Sequence, residues 1–332
     1  MDKHFYGVLP SVETRTYGAI RASLELLDPH TVFVEPQPRE VERDELRGVY
    51  GGIGVTVWRD VAGRIALDPF PRSPAEQSGL RKGDVLLAID GEPVTDRTSV
   101  SDVEAQIHGD VGTPVTLTVS RASTSPVYVT ITREETEKPS ITWRMERAGI
   151  GYIGVDGFTE RTDGELADAL QALQQAHAQA LVLDLRGNGG GLVDSAVAVA
   201  GRFLQPRDVV LYQRSRAGER TFRTRSKDSL ALPLVVLVDA QTAGAAEIVA
   251  GALQAQDRAL LIGGATFGKG FVQEIFDLTD GASVHVTTAI WLTPDRRQID
   301  GQGLNPDIVI PRSDAVGDEQ LNRAVVYLES ES

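Results

Sequence analysis

Three short apolar runs in the second half of the chain constrain its fold more than any other feature. "QALVLDLR", "LPLVVLVDA" and "ALLIGG" are nearly continuous apolar segments, and the helical patterns "GLVDSAVAVAGRFL" and "AAEIVAGALQAQ" lie between them. Apolar strands that alternate with helices are typical of a parallel sheet covered on both faces. This pattern is clear from about residue 149, and we assign residues 135–332 to an α/β core.

The preceding residues divide into two further regions. Residues 1–45 contain "TYGAIRASLELLD", whose apolar spacing is helical, and are predicted to be an N-terminal helical segment that belongs to the core or its lid. Residues 46–134 consist of short alternating segments such as "GGIGVTVW" and "PVTLTVSR" with turns between them, and one helix is predicted at "VSDVEAQIHG". The chain is therefore predicted to be a multidomain α/β protein with a small β-rich domain.

Composition excludes several classes of function. The net charge of −14 repels phosphate backbones, so we expect no nucleic-acid partner. The absence of cysteine removes thiol catalysis, disulfides and cysteine-based zinc sites. No apolar run approaches the roughly 20 residues that span a bilayer. The first residues, "MDKHFYGVLP", lack the apolar region of a signal peptide and are expected to be the truncated end of a longer segment.

A glycine-rich turn follows the first of the three apolar strands. In "LVLDLRGNGGGLVDSA" the glycines allow backbone N–H groups to face an anion or an oxyanion at the start of a helix. A dinucleotide-binding turn is the main alternative, but Gly187 and Gly189 are followed by Leu192 where that motif requires a third glycine. The segment therefore favours an oxyanion site over a nucleotide site.

A second glycine-rich segment, "GGATFGKGFVQ", carries a candidate base. Its spacing approaches a phosphate-binding P-loop, but Gly270 stands where the magnesium-binding Ser or Thr is required, and "FVQEIFDL" then resembles a strand. Lys269 is then either a solvated loop lysine or a general base. A buried lysine loses its proton more readily, and a neutral lysine can activate a serine hydroxyl.

The β-rich region resembles a PDZ domain. "GGIG", formed by Gly51, Gly52, Ile53 and Gly54, precedes a strand, and "SPAEQSGLRKGDVLLAIDGEPV" follows. A glycine turn with an ordinary hairpin is the alternative. The resemblance implies that N–H groups of the turn hold the C-terminal carboxylate of a peptide, while the next strand pairs with that peptide by β-augmentation. Protein C-terminal tails are therefore the expected partners.

The core motifs resemble, in order, those of the carboxy-terminal processing peptidases, also called tail-specific proteases. These motifs are "LDLRGNGGGLVDSAVAVAGRFL", "LVDAQTAGAAEIVAGALQ", "LIGGATFGKGFVQ" and "TPDRRQIDGQGLNPDI". The resemblance implies a PDZ domain joined to a ClpP/crotonase-like α/β core, and a serine endopeptidase with a Ser-Lys dyad. The resemblance implies no metal or organic cofactor. It also implies that the protein acts outside the cytoplasm, in the bacterial periplasm.

The resemblance also assigns the residues of the site. Lys269 matches the base, and Gln273 matches a glutamine that assists it. The nucleophilic serine of the family corresponds to position 244, where this chain has Gly244. The oxyanion hole would be the backbone N–H of Ala245 with that of Gly191.

Neighbouring Gly190 is an alternative second donor. The nearest hydroxyl, on Thr242, lies two residues upstream and is predicted to satisfy backbone donors where the helix begins. The histidines fit no catalytic motif and are predicted to be surface or sheet residues: His4, His30, His108, His177 and His285.

Without a nucleophile the chain is expected to be catalytically inactive. Two explanations remain open. Gly244 is either an engineered replacement of serine, which the retained Lys269 and Gln273 favour, or the mark of a natural pseudoprotease that serves as a peptide-binding scaffold. The sequence does not indicate the substrate, the oligomeric state, or whether the PDZ domain activates or inhibits.

Overall fold

A computed structural model describes residues 5–121, 125–226, 229–311 and 317–331. A 3₁₀ turn covers Arg147–Gly149. The helices are α1 (Val12–Leu24), α2 (Pro36–Arg47), α3 (Pro74–Gln77), α4 (Val100–Ile107), α5 (Thr162–Gln175), α6 (Val193–Gly201), α7 (Ala245–Ala255) and α8 (Glu319–Glu331). The strands are β1 (Val32–Val34), β2 (Val49–Gly52), β3 (Val55–Arg59), β4 (Ile65–Pro69), β5 (Asp84–Ile89), β6 (Glu92–Pro93), β7 (Pro114–Ser120), β8 (Val127–Thr132), β9 (Glu134–Glu137), β10 (Ile141–Met145), β11 (Ile150–Val155), β12 (Ala180–Asp184), β13 (Val209–Ser215), β14 (Gly218–Arg223), β15 (Leu234–Val238), β16 (Leu260–Gly263), β17 (Phe271–Asp277), β18 (Ser283–Leu292) and β19 (Ile308–Val309).

The chain forms two compact units. Gly48–Lys138 is one unit, and Met1–Arg47 joins Pro139–Ser332 in the other. The three-region division of the sequence into 1–45, 46–134 and 135–332 stays a prediction. Within the described ranges, no helix is both long enough and apolar enough to cross a membrane.

The larger unit is built on a six-stranded sheet with the order β10-β11-β12-β15-β16-β19. Strand β10 is antiparallel to β11, and all the other pairings are parallel. Leu183 and Val236 point into an apolar layer shared with α5, α6 and α7, whereas Val182 and Val235 pack with α8 on the other side. This two-faced burial confirms the predicted α/β core and explains why its strands are apolar throughout.

A second sheet of the larger unit is antiparallel. It has the order β1-β18-β13-β14, and β17 also pairs with β18. Strand β1, from the N-terminal part of the chain, pairs Val32 with His285 of β18. The register between β17 and β18 shifts at Val272 and Gln273, which marks a β-bulge.

The smaller unit is the β-rich region predicted from the sequence. Strands β3-β4-β5-β7-β8 form a sheet in which β6 also pairs with β5, and β2 pairs separately with β9. Its core includes Ile53, Leu67, Ile107 and Leu117, all nearly without solvent exposure. Helix α4 begins at a capping box in which Ser99 and Asp102 satisfy each other's backbone donors.

A buried ion pair braces strand β5 of this unit. Asp84 is 1% exposed and accepts from Arg121 at 2.7 Å and 2.6 Å and from the Arg81 N–H at 2.9 Å. Burial acts to raise the pKa of Asp84, but the hydrogen bonds and charge of Arg121 and the Arg81 N–H outweigh it and hold the pKa below its usual range. The carboxylate therefore favours folding only while it is ionised.

We predict that this unit loses stability in acid through Asp84. Because its folded-state pKa lies below the unfolded value of about 4, the contribution is present above that pH and is lost as the pH falls through the folded-state pKa. Asp84→Asn should lower the free energy of unfolding by about 1–3 kcal/mol at neutral pH and weaken the acid dependence. Urea unfolding at several pH values, followed by the fluorine NMR signal of 5-fluorotryptophan at Trp58, measures both effects. The exposed Asp96→Asn is the control, and an equal loss in both variants would contradict the prediction.

Candidate active site

The turn between β15 and α7 sets the position of residue 244. Strand β15 is buried along its whole length, and α7 begins at Ala245 directly after Gly244. Thr242, which is fully buried, accepts from the Asp239 N–H at 3.0 Å and donates its hydroxyl to the Leu185 carbonyl at 2.8 Å. Both hydrogen bonds of the Thr242 hydroxyl therefore stabilise the turn, and Thr242 lies on the β15 side of that turn.

Gly244 adopts a backbone conformation that favours glycine. Its φ of 55° and ψ of −113° lie where residues with a side chain are strained. Space is nevertheless available, because a methyl carbon added to Gly244 would lie 3.6 Å from Lys269 Cδ and 3.9 Å from the Gly189 carbonyl oxygen. A small side chain at position 244 would thus contact the Lys269 side chain without a steric clash.

The glycine loop lies against the turn that precedes α7. A methyl carbon added to Gly190 would lie 3.1 Å from the Ala245 nitrogen, so the glycine loop and the start of α7 are in close contact. The Gly190 N–H donates to Asn188 Oδ1 at 2.9 Å. Across the described ranges, no protein acceptor is hydrogen-bonded to the N–H of Gly191 or Ala245. Of the two glycines considered for an oxyanion hole, Gly191 is the one whose donor is available.

Asn188 holds the glycine loop in place, and it is not among the residues predicted from the sequence. The residue is fully buried, and its Nδ2 donates to the Val155 carbonyl at 2.8 Å. Its own carbonyl accepts from the Ala243 N–H at 2.9 Å. Asn188 therefore links β11, the glycine loop and the residue before Gly244. Its place inside "RGNGGG" was the available signal, because asparagine commonly bonds to nearby backbone in turns.

Glu247 is the second such residue that the sequence patterns did not reveal. It lies one turn into α7, has no exposed surface, and accepts from the Gly244 N–H at 3.0 Å. It also accepts from the Thr266 hydroxyl at 2.5 Å and from the N–H groups of Gly268 and Lys269 at 2.8 Å and 2.9 Å. One carboxylate thus joins the turn at residue 244 to the loop that carries Lys269.

The backbone N–H and carbonyl of Lys269 are both hydrogen-bonded, whereas its side-chain ammonium makes no hydrogen bond with the described residues. Besides the bond from its N–H to Glu247, its carbonyl accepts from Trp291 Nε1 at 2.9 Å. The ammonium lies 5.6 Å from the centroid of the Phe271 ring. Within the described part of the chain, no side chain makes a hydrogen bond or an ion pair with this ammonium. Lys269 is half-buried, and its Cδ lies 3.6 Å from the position of a methyl carbon added to Gly244.

Gln273 occupies a different environment from the one expected. It lies at the β-bulge of β17, and its Nε2 donates to the His30 carbonyl at 2.6 Å. The His30 ring stacks on Phe271 with the two centroids 3.9 Å apart. No hydrogen bond joins Gln273 to Lys269 among the residues that the structure describes. The structure therefore brings Gly244, Ala245, Gly191 and Lys269 together, and holds the Gln273 amide on the loop before β1.

The glycine turn of the smaller unit also shows close backbone contacts. A methyl carbon at Gly51 would lie 2.2 Å from the Gly109 carbonyl oxygen, and one at Gly54 would lie 2.5 Å from Ser73 Cβ. Gly54 also has a φ of 72°. These two positions therefore require glycine. The turn ends at β3, which lies at the edge of its sheet.

Comparison with known proteins identifies the class to which this arrangement belongs. Residues 149–310 match the model of peptidase family S41, and residues 68–121 match a PDZ domain. A carboxy-terminal-processing protease of Bartonella bacilliformis is 34% identical over 92% of this chain and 71% of its own length. The corresponding protease of Synechocystis is 36% identical over 89% and 71%.

Solved structures agree with this assignment. The photosystem II D1 C-terminal processing protease is 31% identical, covers 93% of this chain and 85% of its own, and gives a TM-score of 0.55. An S41 protease of Bacteroides fragilis has the same fold at 16% identity, with coverage of 99% and 93% and a TM-score of 0.63. The chain belongs to the carboxy-terminal processing proteases, a family of PDZ-containing serine proteases.

We predict that Glu247→Gln destabilises the larger unit. An amide nitrogen would replace one carboxylate oxygen and face two backbone or hydroxyl donors, and each unsatisfied buried donor costs about 1–3 kcal/mol. Urea denaturation should show a loss of at least about 2 kcal/mol, and the Gly268 and Lys269 amides should exchange faster. Glu319→Gln, on the exposed first turn of α8, should change stability by less than about 0.5 kcal/mol. Similar stability of the two variants would argue against this role of Glu247.

A second prediction concerns the backbone at position 244. Gly244→Ala should lower the free energy of unfolding by about 1–3 kcal/mol, because alanine is strained at a φ of 55° and a ψ of −113°. Gly164→Ala is the matched control: Gly164 lies in α5 and has no atom within 4 Å of an added methyl carbon. There the substitution should be neutral or stabilise by up to about 1 kcal/mol. If the two variants unfold at the same denaturant concentration, the strain is absent.

Proposed function

We propose that this chain is a C-terminal processing endopeptidase that lacks its nucleophile. Its smaller unit would capture protein C-terminal tails, and the site around Gly244 and Lys269 would be the cleavage site of the serine form. One observation carries this proposal. A side chain at position 244 would project beside Lys269, directly before the first residue of α7 and close to the glycine loop that contains Gly191.

In the serine form, each group has a distinct role. A serine hydroxyl at position 244 would attack the scissile carbonyl and form a tetrahedral intermediate, while neutral Lys269 accepts the hydroxyl proton and later passes it to the leaving amine. The carbonyl oxygen would gain negative charge and accept from the Ala245 and Gly191 N–H groups. Attack by water on the acyl-enzyme, again with Lys269 as the base, would release the product.

Gln273 would act by orienting the lysine amine. Its Nε2 already donates to the His30 carbonyl, which leaves the acceptor Oε1 as the atom available to the Lys269 amine. When neutral Lys269 donates one N–H to this acceptor, the lone pair of its amine keeps a single direction.

The chain with Gly244 would bind substrate without cleaving it. Glycine supplies no nucleophilic atom, and the buried Thr242 hydroxyl donates to the Leu185 carbonyl. We propose that glycine here is an engineered replacement of serine, because the base, the carboxylate that holds its loop and the oxyanion donors are all retained. The alternative is a natural peptide-binding pseudoprotease. This alternative is favoured by the backbone of residue 244, whose φ of 55° suits glycine.

The proposed partners are protein or peptide C-terminal tails. The PDZ match and the edge strand β3 support capture by strand addition, in which backbone hydrogen bonds supply affinity and side-chain pockets supply selectivity. We propose an extracytoplasmic location, the periplasm of a bacterium, on the strength of the family and of bacterial relatives such as that of Bartonella bacilliformis. No metal or organic cofactor takes part in the proposed reaction.

We predict that Gly244→Ser restores proteolysis. The serine variant should cleave an unstructured protein substrate, whereas the present chain should be slower by at least about a thousandfold, because the covalent route needs the hydroxyl. Gel analysis and mass spectrometry of the fragments measure the rate and locate the cleaved bonds.

Two controls separate the hydroxyl from other effects. Gly244→Ala introduces the same backbone strain without an oxygen and should stay inactive. Gly244→Ser combined with Lys269→Ala should also be inactive, because the base is lost. A serine variant that is folded and binds tails but does not cleave would overturn the protease proposal. The natural peptide-binding pseudoprotease would then be the remaining explanation.

A further inference from the structure

The hairpin of β13 and β14 carries an excess of positive charge in an acidic chain. Residues 207–225 contain six arginines and two acidic residues, whereas the whole chain has a net charge of −14. All six arginines are exposed to solvent. They are Arg207, Arg214, Arg216, Arg220, Arg223 and Arg225. The positive charge is therefore local and lies at the surface of the larger unit.

Most of this charge has no carboxylate partner. Glu219 is shared by two arginines, since it lies 3.4 Å from Arg214 and 2.9 Å from Arg296. Asp208 accepts from the Gln205 N–H at 2.9 Å. Among the described residues, no carboxylate forms an ion pair with any of the other five arginines of the hairpin. Their guanidinium groups are therefore available to an anionic partner.

The available arginines lie on both faces of the hairpin and at its tip. Successive residues of a strand point to opposite faces, so Arg220 and Arg223 lie on different faces of β14. Arg220 lies over the buried ring of Phe222, with 4.3 Å between the guanidinium carbon and the ring centroid. Arg216 is in the two-residue turn that joins the strands. A segment that lies along β14 would meet arginine side chains on either side.

Strand β14 is also an edge strand. Within the described structure it pairs with β13 alone, so its other edge has no strand beside it. An edge strand presents backbone N–H and carbonyl groups that pair with an added strand. Side chains of the added strand would lie directly beside those of β14, where opposite charges attract and like charges repel. This edge therefore favours an acidic strand and rejects a basic one, including a second copy of itself.

These features favour a polypeptide over other polyanions. A membrane or a nucleic acid extends far beyond the hairpin, and the rest of this acidic chain would repel it. A short segment needs only a few carboxylates at the hairpin, and charges farther than about 8 Å are screened at physiological ionic strength. Only a polypeptide can pair with the backbone groups of the edge.

We propose that the β13–β14 hairpin binds an extended acidic segment of a partner protein, which adds as a strand to β14. Backbone hydrogen bonds along the edge would supply affinity, and the arginines would select acidic side chains. Each exposed charge pair is weak, so binding depends on several pairs together and falls as salt is added. This site is independent of tail capture by the smaller unit and of the residue at position 244.

The first test varies the peptide. A short, dye-labelled peptide of alternating Glu and Thr, acetylated and amidated at its ends, is titrated into the full chain and followed by fluorescence anisotropy. It should bind at low salt and weaken as salt is added. The same peptide with Gln in place of Glu should bind at least about tenfold more weakly. A peptide of the same composition with alternating L and D residues should also bind weakly, because it keeps the charge but cannot form a regular strand.

The second test varies the hairpin. Arg216→Gln/Arg220→Gln should weaken binding of the acidic peptide about three- to tenfold, whereas Arg216→Lys/Arg220→Lys keeps the charge and should retain most of the affinity. Arg72→Gln/Arg97→Gln is the matched control, since it removes two exposed arginines from the smaller unit and should leave the affinity unchanged. In the parent chain, the acidic peptide should slow amide exchange within Gly218–Arg223.

The outcomes separate this site from its alternatives. Selective loss of binding in Arg216→Gln/Arg220→Gln, together with slower exchange along β14, supports the proposal. An equal loss in the control variant would assign the effect to net charge and overturn it. Equal binding of the peptide with L and D residues would exclude strand addition. No acidic-peptide binding, but binding to phosphatidylglycerol vesicles that Arg216→Gln/Arg220→Gln abolishes, would assign the hairpin to membranes instead. None of these results bears on cleavage by Gly244→Ser, so the proposed function is tested separately.

Discussion

A single buried carboxylate, Glu247, joins the turn at Gly244 to the loop of Lys269 in the larger unit. Burying a charge without partners is costly, and here the charge has four hydrogen-bond donors from two separate segments of chain. Two of those donors are backbone groups of the loop that carries Lys269, and a third is the N–H of Gly244. The distance between residue 244 and Lys269 is thus set by main-chain contacts that do not depend on either side chain.

Patterns in the sequence predict the fold and the class of protein well, but they predict the site less completely. The apolar strands and the glycine turns are local signals, so the parallel sheet, the PDZ resemblance and the protease family are confirmed. The roles assigned to Lys269, Gln273 and Gly191 stay predictions. Asn188 and Glu247 were missed because their importance depends on partners far away in the sequence. The contact between Gln273 and His30 joins segments at opposite ends of the chain, and no local pattern encodes it.

The two candidate sites bind negative charge with the same kind of donor. Each uses backbone N–H groups, displayed by glycine-rich turns, to receive an oxygen that carries negative charge. Near Gly191 that oxygen would belong to a reacting carbonyl, and near Gly54 to the end of a tail. The Gly191 donor has no protein acceptor in the described structure.

Strand β1 pairs with β18, and residues 35–282 lie between the two strands in the sequence. The smaller unit lies within that interval, and its ends meet where the Lys138 N–H donates to the Gly48 carbonyl at 2.8 Å. During synthesis on the ribosome, Gly48–Lys138 can complete its own core as soon as it emerges. Residues 32–34 must wait for β18 before their edge is paired. The smaller unit can therefore fold before the larger unit, whose second sheet needs β18, is complete.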